Sequence, residues 1–71
     1  MSQSNPDPFD IRKARANAGI TQKKAAEMLH TSIRAYQQWE AGDRAMHPAF
    51  WELFLIKLAI YPALKEYKNG N

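Results

Sequence analysis

Signals that begin and end helices recur at short intervals along this chain, and they constrain its fold more than any other feature. Asp7 followed by Pro8 suits the start of a helix, and Gly19 suits its end because glycine readily adopts the left-handed backbone found there. Thr21 and Ser32 are further N-cap residues, and apolar residues recur at helical spacing after each of them. The sequence therefore predicts three short consecutive helices joined by tight turns.

The second half of the chain continues this helical pattern. Gly42 suits the end of the third helix, and the segment "GDRAMH" that it opens is typical of a loop. Pro48 suits the start of a fourth helix that extends to about Ala59, and Pro62 suits the start of a short fifth helix. Period-two alternation is absent and β-branched residues are scarce, so no strand is predicted. We therefore expect an all-α fold of five short helices.

The 71 residues suffice for one domain, which we place at residues 7–71 after a disordered N-terminal arm at residues 1–6. The chain has no cysteine and its two histidines are not at ligand spacing, so neither a metal nor another cofactor is expected. No nucleophile–base pair, carboxylate pair or phosphate loop is recognisable in the sequence. We therefore expect neither enzymatic activity nor a small-molecule ligand.

The hydrophobic segments predict no membrane partner. The longest apolar run, "AFWELFLIKLAIY", is too short to cross a bilayer and contains two charged residues. The first ten residues lack the apolar core of a signal peptide. We expect a soluble, cytoplasmic protein.

Positive charge is concentrated early in the chain. The net charge is +3 and the sequence pI is about 9.5. Five basic residues lie close together with no acidic residue between them: Arg12, Lys13, Arg15, Lys23 and Lys24. Such a cluster is typical either of a surface that binds phosphate or of a merely solvated face, and charge alone leaves both open.

The spacing of these features resembles a known family. The segment "GITQKKAAEMLHTSIRAYQQWEAGDR" resembles the Cro/cI-type, or Xre-type, helix-turn-helix family of phage and bacterial repressors. The matching marks are Thr21 and Gln22, the inner residues Ala26 and Leu29, and the closing "WEAG". The resemblance covers roughly residues 11–58. It implies a compact, five-helix, lambda-repressor-like DNA-binding domain with its helix-turn-helix at about residues 21–41.

The resemblance implies that the third helix is a recognition helix, which contacts double-stranded DNA. The major groove admits one α-helix, whose N-terminal residues meet the edges of the bases. Arg34 and Gln38 are the first candidates for base readout, and Ile33 and Gln37 are the next. Contacts with the DNA backbone are expected from five residues: Gln22, Lys23, Thr31, Ser32 and Arg44. For each base-reading candidate the alternative is an ordinary exposed helix position.

Other positions have expected structural roles. Most members of the family have glycine where this chain has His30, so we interpret His30 as a residue of the left-handed turn. A phosphate contact and a pH-sensitive turn are the alternatives for it. Tyr36 and Trp39 are expected in the core. The resemblance also implies a structural ion pair between Arg15 and Glu40.

The fourth helix carries more apolar residues than one core can cover. We therefore predict a homodimer through a segment at about residues 48–68. The expected interface residues are Phe54, Leu55, Leu58, Ile60, Leu64 and Tyr67. A dimer would bind the two half-sites of a palindromic operator. The alternative is a monomer in which the fifth helix covers this surface.

A longer segment, "RAYQQWEAGDRAMHPAFWELFLIK", is similar to a particular subgroup, the phage anti-CRISPR-associated autorepressors. That similarity implies a dimer that binds an inverted repeat in its own promoter and represses transcription. Two other functions stay open at this level. One is an antitoxin that also binds DNA, and the other is a protein-interaction module that binds no DNA.

Overall fold

The computed structural model describes the backbone of residues 5–69 and the side chains of residues 5–63. This part of the chain forms four α-helices and no β-strand: α1 (Pro8–Ala18), α2 (Gln22–Met28), α3 (Ile33–Ala41) and α4 (Pro48–Asn69). Within the same residues, none of the helices combines the length and the apolar character needed to cross a lipid bilayer.

The first three helices begin where the sequence predicts, and α1 and α3 end at the predicted glycines. The side-chain oxygen of each predicted N-cap residue accepts a hydrogen bond from a backbone N–H of the first helical turn. These bonds join Asp7 to Phe9 at 2.8 Å, Thr21 to Lys24 at 3.0 Å, and Ser32 to Ala35 at 3.0 Å. Gly19 and Gly42 follow α1 and α3 with φ of 69° and 84°, which is the left-handed region that favours glycine.

The predicted fifth helix is not a separate element. Pro62 lies inside α4, which continues through it to Asn69. Proline removes one backbone donor, so the carbonyl of Leu58 loses its usual helical partner there. Because Pro62 is exposed to solvent, its ring does not have to fit into the core, and the helix tolerates the loss. The prediction was wrong because it treated the proline as the start of a helix.

Asn5, near the end of the predicted N-terminal arm, and the loop before α4 make specific contacts that the sequence does not suggest. The Asn5 side-chain amide donates to the backbone carbonyl of Met46 at 2.7 Å, so the predicted disordered arm does not extend to Asn5. The Met46 side chain is buried in the core although it belongs to the loop. The backbone N–H of Ala49 donates to His47 Nδ1 at 2.9 Å, which satisfies one of the free donors at the start of α4.

An aromatic cluster joins α3 to α4 at the centre of the molecule. The ring of Tyr36 lies edge-on to Trp39 at 6.1 Å and to Phe54 at 6.0 Å between centroids. Trp39 in turn packs against Phe50 at 5.0 Å. Tyr36 and Trp39 are both buried, as expected from the sequence. The small side chains of Ala25 and Ala26 are also buried and allow α2 to approach this cluster closely.

The burial of Phe54 corrects one part of the predicted dimer surface. Its side chain is 0% exposed, so it belongs to the core and leaves no surface for a second copy. Leu55 and Ile60 are exposed, and Leu58 is partly buried against the core. The side chains of the other two predicted interface residues, Leu64 and Tyr67, lie outside the described residues.

The turn between α2 and α3 contains the predicted left-handed histidine. His30 has φ of 56°, which confirms the interpretation of this position as a turn residue. Lys57 of α4 approaches the same turn. Its ammonium donates to the backbone carbonyl of Met28 at 2.6 Å and lies 3.4 Å from His30 Nε2. α4 therefore contributes a cation to the C-terminal end of α2, where it complements the helix dipole.

The backbone of His30 predicts an unusual stability response. A left-handed conformation costs a residue with a Cβ about 1 kcal/mol or more, and glycine avoids this cost. We expect His30→Gly to raise the free energy of unfolding by about 0.5–1 kcal/mol, and His30→Val to lower it by at least about 1 kcal/mol. Urea denaturation of the three proteins measures both changes. A glycine variant no more stable than the valine variant would show that the turn is not strained.

Candidate nucleic-acid interface

α3 has one face fixed in the core and one face exposed. Its buried residues are Tyr36, Trp39 and Glu40, which recur at helical spacing on one side. Arg34 and Gln37 lie on the exposed side. The helix therefore presents polar side chains to solvent from a backbone that the core holds in place.

The predicted base-reading residues are not equally accessible. Arg34 and Gln37 are exposed, and the apolar side chain of Ile33 is 40% exposed at the first helical position. Gln38, which ranked with Arg34 in the sequence prediction, is half-buried. The structure thus gives Gln37 greater access to a partner than the sequence order suggested.

The predicted backbone-contacting residues lie around the ends of α2 and α3. Lys23 is exposed in the first turn of α2, and Ser32 is exposed at the start of α3, with Thr31 half-buried beside it. Arg44 is exposed in the loop after α3, and its backbone N–H donates to the carbonyl of Gln38 at 3.3 Å. The free N–H groups at a helix start suit an anion, so the start of α3 is a chemically reasonable place for phosphate.

The buried carboxylate of Glu40 is the centre of a polar network beneath this surface. Arg15 of α1 forms an ion pair with it, with Nε 2.7 Å from Oε2 and Nη2 3.3 Å from Oε1. This is the pair that the resemblance implied. Gln22 of α2 donates from Nε2 to Glu40 Oε1 at 2.9 Å. One carboxylate therefore joins the first three helices.

Further hydrogen bonds extend the network to both sides. The Arg12 guanidinium donates to the backbone carbonyl of Glu40 at 2.6 Å, close to the C-terminal end of α3. Arg15 Nη1 donates to the carbonyl of Ile20, at 3.0 Å, in the turn before α2. On the solvent side, Gln37 Nε2 donates to Gln22 Oε1 at 3.2 Å. The network thus runs from α1 through the core to the exposed face of α3.

The surroundings of Glu40 control its ionisation. Burial by itself raises the pKa of this carboxyl, but the hydrogen bonds from Arg15 and Gln22, the nearby Tyr36 hydroxyl and the Arg15 charge together lower it by more. The net result is a pKa below the ordinary glutamate value. The bond to Glu40 in turn raises the pKa of Arg15. Both groups are therefore charged at neutral pH.

Tyr36 places a hydroxyl next to this pair. The oxygen is buried, and no described residue satisfies it with acceptable hydrogen-bond geometry. Burial raises the pKa of Tyr36 far above its usual range, and the neighbouring Glu40 carboxylate acts in the same direction. The phenol therefore stays protonated and remains a potential donor toward the carboxylate.

The early basic cluster does not form one surface. Arg15 is held by Glu40, and the Lys24 ammonium lies 5.9 Å from the centre of the Tyr61 ring of α4. These two charges serve contacts within the protein. The cluster seen in the sequence therefore overstates the positive charge available to a partner on this face.

Sequence reasoning missed three contacts that shape the site. The bond from Arg12 to Glu40, the bridge between Gln22 and Gln37, and the capping of α2 by Lys57 were not predicted. Lys57 had a recognisable signal, because it is the only lysine in the mostly apolar run "AFWELFLIKLAIY". The other two contacts depend on how the helices cross, which a single sequence does not specify.

Two comparisons with known proteins bear on this site. A family model described as helix-turn-helix matches residues 11–50, which include most of α1, all of α2 and α3, and the start of α4. A type II methyltransferase of Moraxella sp, M.MspI, is 37% identical over 51 residues. That alignment covers 72% of this chain and 12% of the methyltransferase, so the likeness is confined to a small segment of the enzyme.

Among the residues that the structure describes, no group of three or more His, Asp and Glu side chains is arranged to hold a metal ion.

The Glu40 network predicts a stability difference that depends on pH. Because folding lowers the pKa of Glu40, its ionisation stabilises the folded state above the ordinary value of 4.5, and the effect is lost as pH falls further. We expect Glu40→Gln to lower the free energy of unfolding by about 1.5–3 kcal/mol at pH 7. The difference from the unmodified protein should shrink steadily below pH 4.5.

Denaturation across this pH range measures the difference. Glu27→Gln, which neutralises an exposed carboxylate of α2, is the matched control. A Glu40→Gln difference that is independent of pH would show that packing, and not the charge, gives Glu40 its importance.

Proposed function

The chain belongs to the helix-turn-helix family, whose members bind double-stranded DNA, and we propose that it is a sequence-specific transcriptional regulator. The observation that supports this most directly is the arrangement of α3. Its buried face is held by Glu40 and the aromatic cluster, and its exposed face carries Arg34 and Gln37. A rigid helix with exposed polar side chains matches what the major groove can accept.

In this proposal α3 reads bases and its surroundings position it. Arg34 suits bidentate bonds to guanine, glutamines suit adenine, and Ile33 suits the methyl group of thymine. Gln37 and the half-buried Gln38 are the glutamine candidates. Contacts with the sugar–phosphate backbone are proposed for Gln22, Lys23, Thr31, Ser32 and Arg44. Nε2 of Gln22 already donates a hydrogen bond to Glu40, so Gln22 would contact DNA through the polar groups of its amide that this bond leaves free.

The outer face of α4 supports a homodimer. Leu55, Ile56 and Ile60 are 44%, 55% and 47% exposed and recur at the spacing of one helix face, with the small Ala59 between them. We call these four residues the apolar stripe. A stripe of this kind on a small domain is typical of a surface that a partner covers. A second copy would place two α3 helices against half-sites about 10 bp apart in an inverted repeat.

We further propose that the regulator is a repressor of its own promoter. The resemblance to anti-CRISPR-associated autorepressors supports this, and we propose a phage or prophage promoter, including that of an anti-CRISPR operon, as the target. Occupancy of an operator that overlaps a promoter is sufficient for repression and requires no enzymatic step.

A second candidate is an antitoxin that also binds DNA. The apolar stripe favours the antitoxin if the partner that covers the stripe is a toxin and not a second copy of this chain. A toxin gene beside this one would favour the antitoxin. A third candidate, a protein-interaction module, requires that the chain bind no DNA at all.

The first test is footprinting on the DNA upstream of the protein's own gene. We expect a protected inverted repeat and an affinity that falls steeply with salt, because phosphate contacts release counterions. Arg34→Ala should lower the affinity by about 1–3 kcal/mol and relax the preference at one base pair in each half-site.

Lys23→Ala is the matched control for this test. It should weaken binding to all sequences alike and reduce the slope of log affinity against log salt by about one. Unchanged base preference in Arg34→Ala would refute its assignment as a reader. Binding that does not respond to salt would contradict DNA as the partner.

The apolar stripe makes a separate prediction. Sedimentation equilibrium at micromolar concentration should show a dimer of the unmodified chain. The double variant Leu55→Lys and Ile60→Lys should be a folded monomer, since both side chains point to solvent and a lysine pair would repel its symmetry mate.

Ala49→Lys is the control for added charge, because Ala49 is an exposed residue of the first turn of α4, outside the stripe. It should remain a dimer. A monomeric unmodified chain that stays monomeric on DNA would rule out the dimer.

A further inference from the structure

A chain of hydrogen bonds connects the buried carboxylate to the exposed face of α3. Glu40 Oε1 accepts from Gln22 Nε2 at 2.9 Å, and Gln22 Oε1 accepts from Gln37 Nε2 at 3.2 Å. The first bond is partly buried and the second is exposed. Gln37 is therefore linked, through one intervening amide, to the ion pair of Glu40 with Arg15.

The chemistry of Glu40 determines the direction of both bonds. An ionised carboxylate can only accept hydrogen bonds, so Gln22 must turn its NH2 group toward it. The carbonyl oxygen of Gln22 then faces the other way, toward α3. Gln37 can bond to that oxygen only by donating, so its NH2 group is directed to Gln22. Neither glutamine can turn its amide over without losing a bond.

This arrangement leaves Gln37 with a defined set of free groups. One N–H is used on Gln22, and one N–H and the whole Oε1 remain for a partner. An isolated glutamine offers a base either two donors or a donor with an acceptor. Here the two-donor arrangement is unavailable.

We propose that Gln37 is a specificity-determining residue that reads a base offering a hydrogen-bond donor in the major groove, with adenine the best match. This inference rests on the proposed function and names the base class read by one residue of α3. Gln22 acts through Gln37 as a positioning residue, and the Glu40 carboxylate determines the direction in which both side-chain amides point.

The donor and acceptor patterns of the bases support the choice. Adenine presents the N6 donor and the N7 acceptor, which match the free Oε1 and the free N–H of Gln37. Cytosine presents one donor at N4. Guanine presents only acceptors in the major groove, at O6 and N7, and thymine presents the O4 acceptor with a methyl group. Gln37 should therefore disfavour guanine and thymine, since its Oε1 would have no donor.

The test is selection from a randomised pool of double-stranded DNA with the full chain, followed by sequencing of the bound fraction. Gln37→Ala identifies the position that Gln37 reads, as the one base pair in each half-site whose preference disappears. With the unmodified chain, an A·T pair should exceed a G·C pair at that position by roughly tenfold or more, the range of a good bidentate contact.

Gln22→Met tests the positioning step. It retains a side chain of similar length but removes both bonds, so the Gln37 amide becomes free to turn. The preference for an A·T pair over a G·C pair at the Gln37 position should fall to about threefold or less, while the other positions keep their preferences. Lys23→Met, the neighbouring residue of α2 with an exposed side chain, is the matched control and should weaken binding without altering that position.

Each outcome is decisive. A G·C pair at the Gln37 position, or a selected sequence that Gln37→Ala leaves unchanged, would overturn the inference while the proposed function stands. Thermal unfolding shows whether Gln22→Met is folded. If the folded variant keeps the full preference for an A·T pair at the Gln37 position, the role of the hydrogen-bond chain is refuted. Failure to select any sequence would reject the proposed function itself, and the inference with it.

Discussion

The ion pair between Glu40 and Arg15 is the interaction on which the rest of the structure depends. It places a charge in the core of a very small domain, where desolvation opposes it, and it is tolerated because Arg15 and Gln22 donate hydrogen bonds to both carboxylate oxygens. Such a pair contributes more to geometry than to stability. A hydrophobic pair of similar volume could hold α1 and α3 together, but it would not fix the angle at which α3 emerges or the direction of the Gln22 amide.

Much of the fold could be predicted from the sequence because its helix ends are specified locally. A capping side chain bonds to a backbone N–H only a few residues further along the chain. The glycines at positions 19 and 42 mark a left-handed backbone conformation that other residues avoid. The left-handed His30 was expected from the resemblance instead, because most members of the family have glycine at that position. The long α4 was divided wrongly, since whether a helix passes through a proline depends on what surrounds the proline and not on its neighbours in sequence.

The candidate site was predictable in its outline and not in its contacts. The exposed positions of α3 follow from helical periodicity once its buried face is known. The bridge between Gln22 and Gln37 joins residues fifteen positions apart and requires the crossing angle of α2 and α3. Likewise, the burial of Phe54 and the exposure of Leu55 could not be distinguished in an apolar run, because adjacent residues of equal hydrophobicity give no indication of which one faces the core.

The capping of α2 by Lys57 has a consequence for where this domain ends. The family match stops at residue 50, yet the last carbonyl of α2 receives its donor from residue 57, and the core is completed by residue 54. A fragment that ends at residue 50 would contain both helices of the helix-turn-helix. It would lack Phe54, which completes the core, and Lys57, which caps α2. The segment that completes the packing of this helix-turn-helix is therefore longer than the segment by which the family is identified.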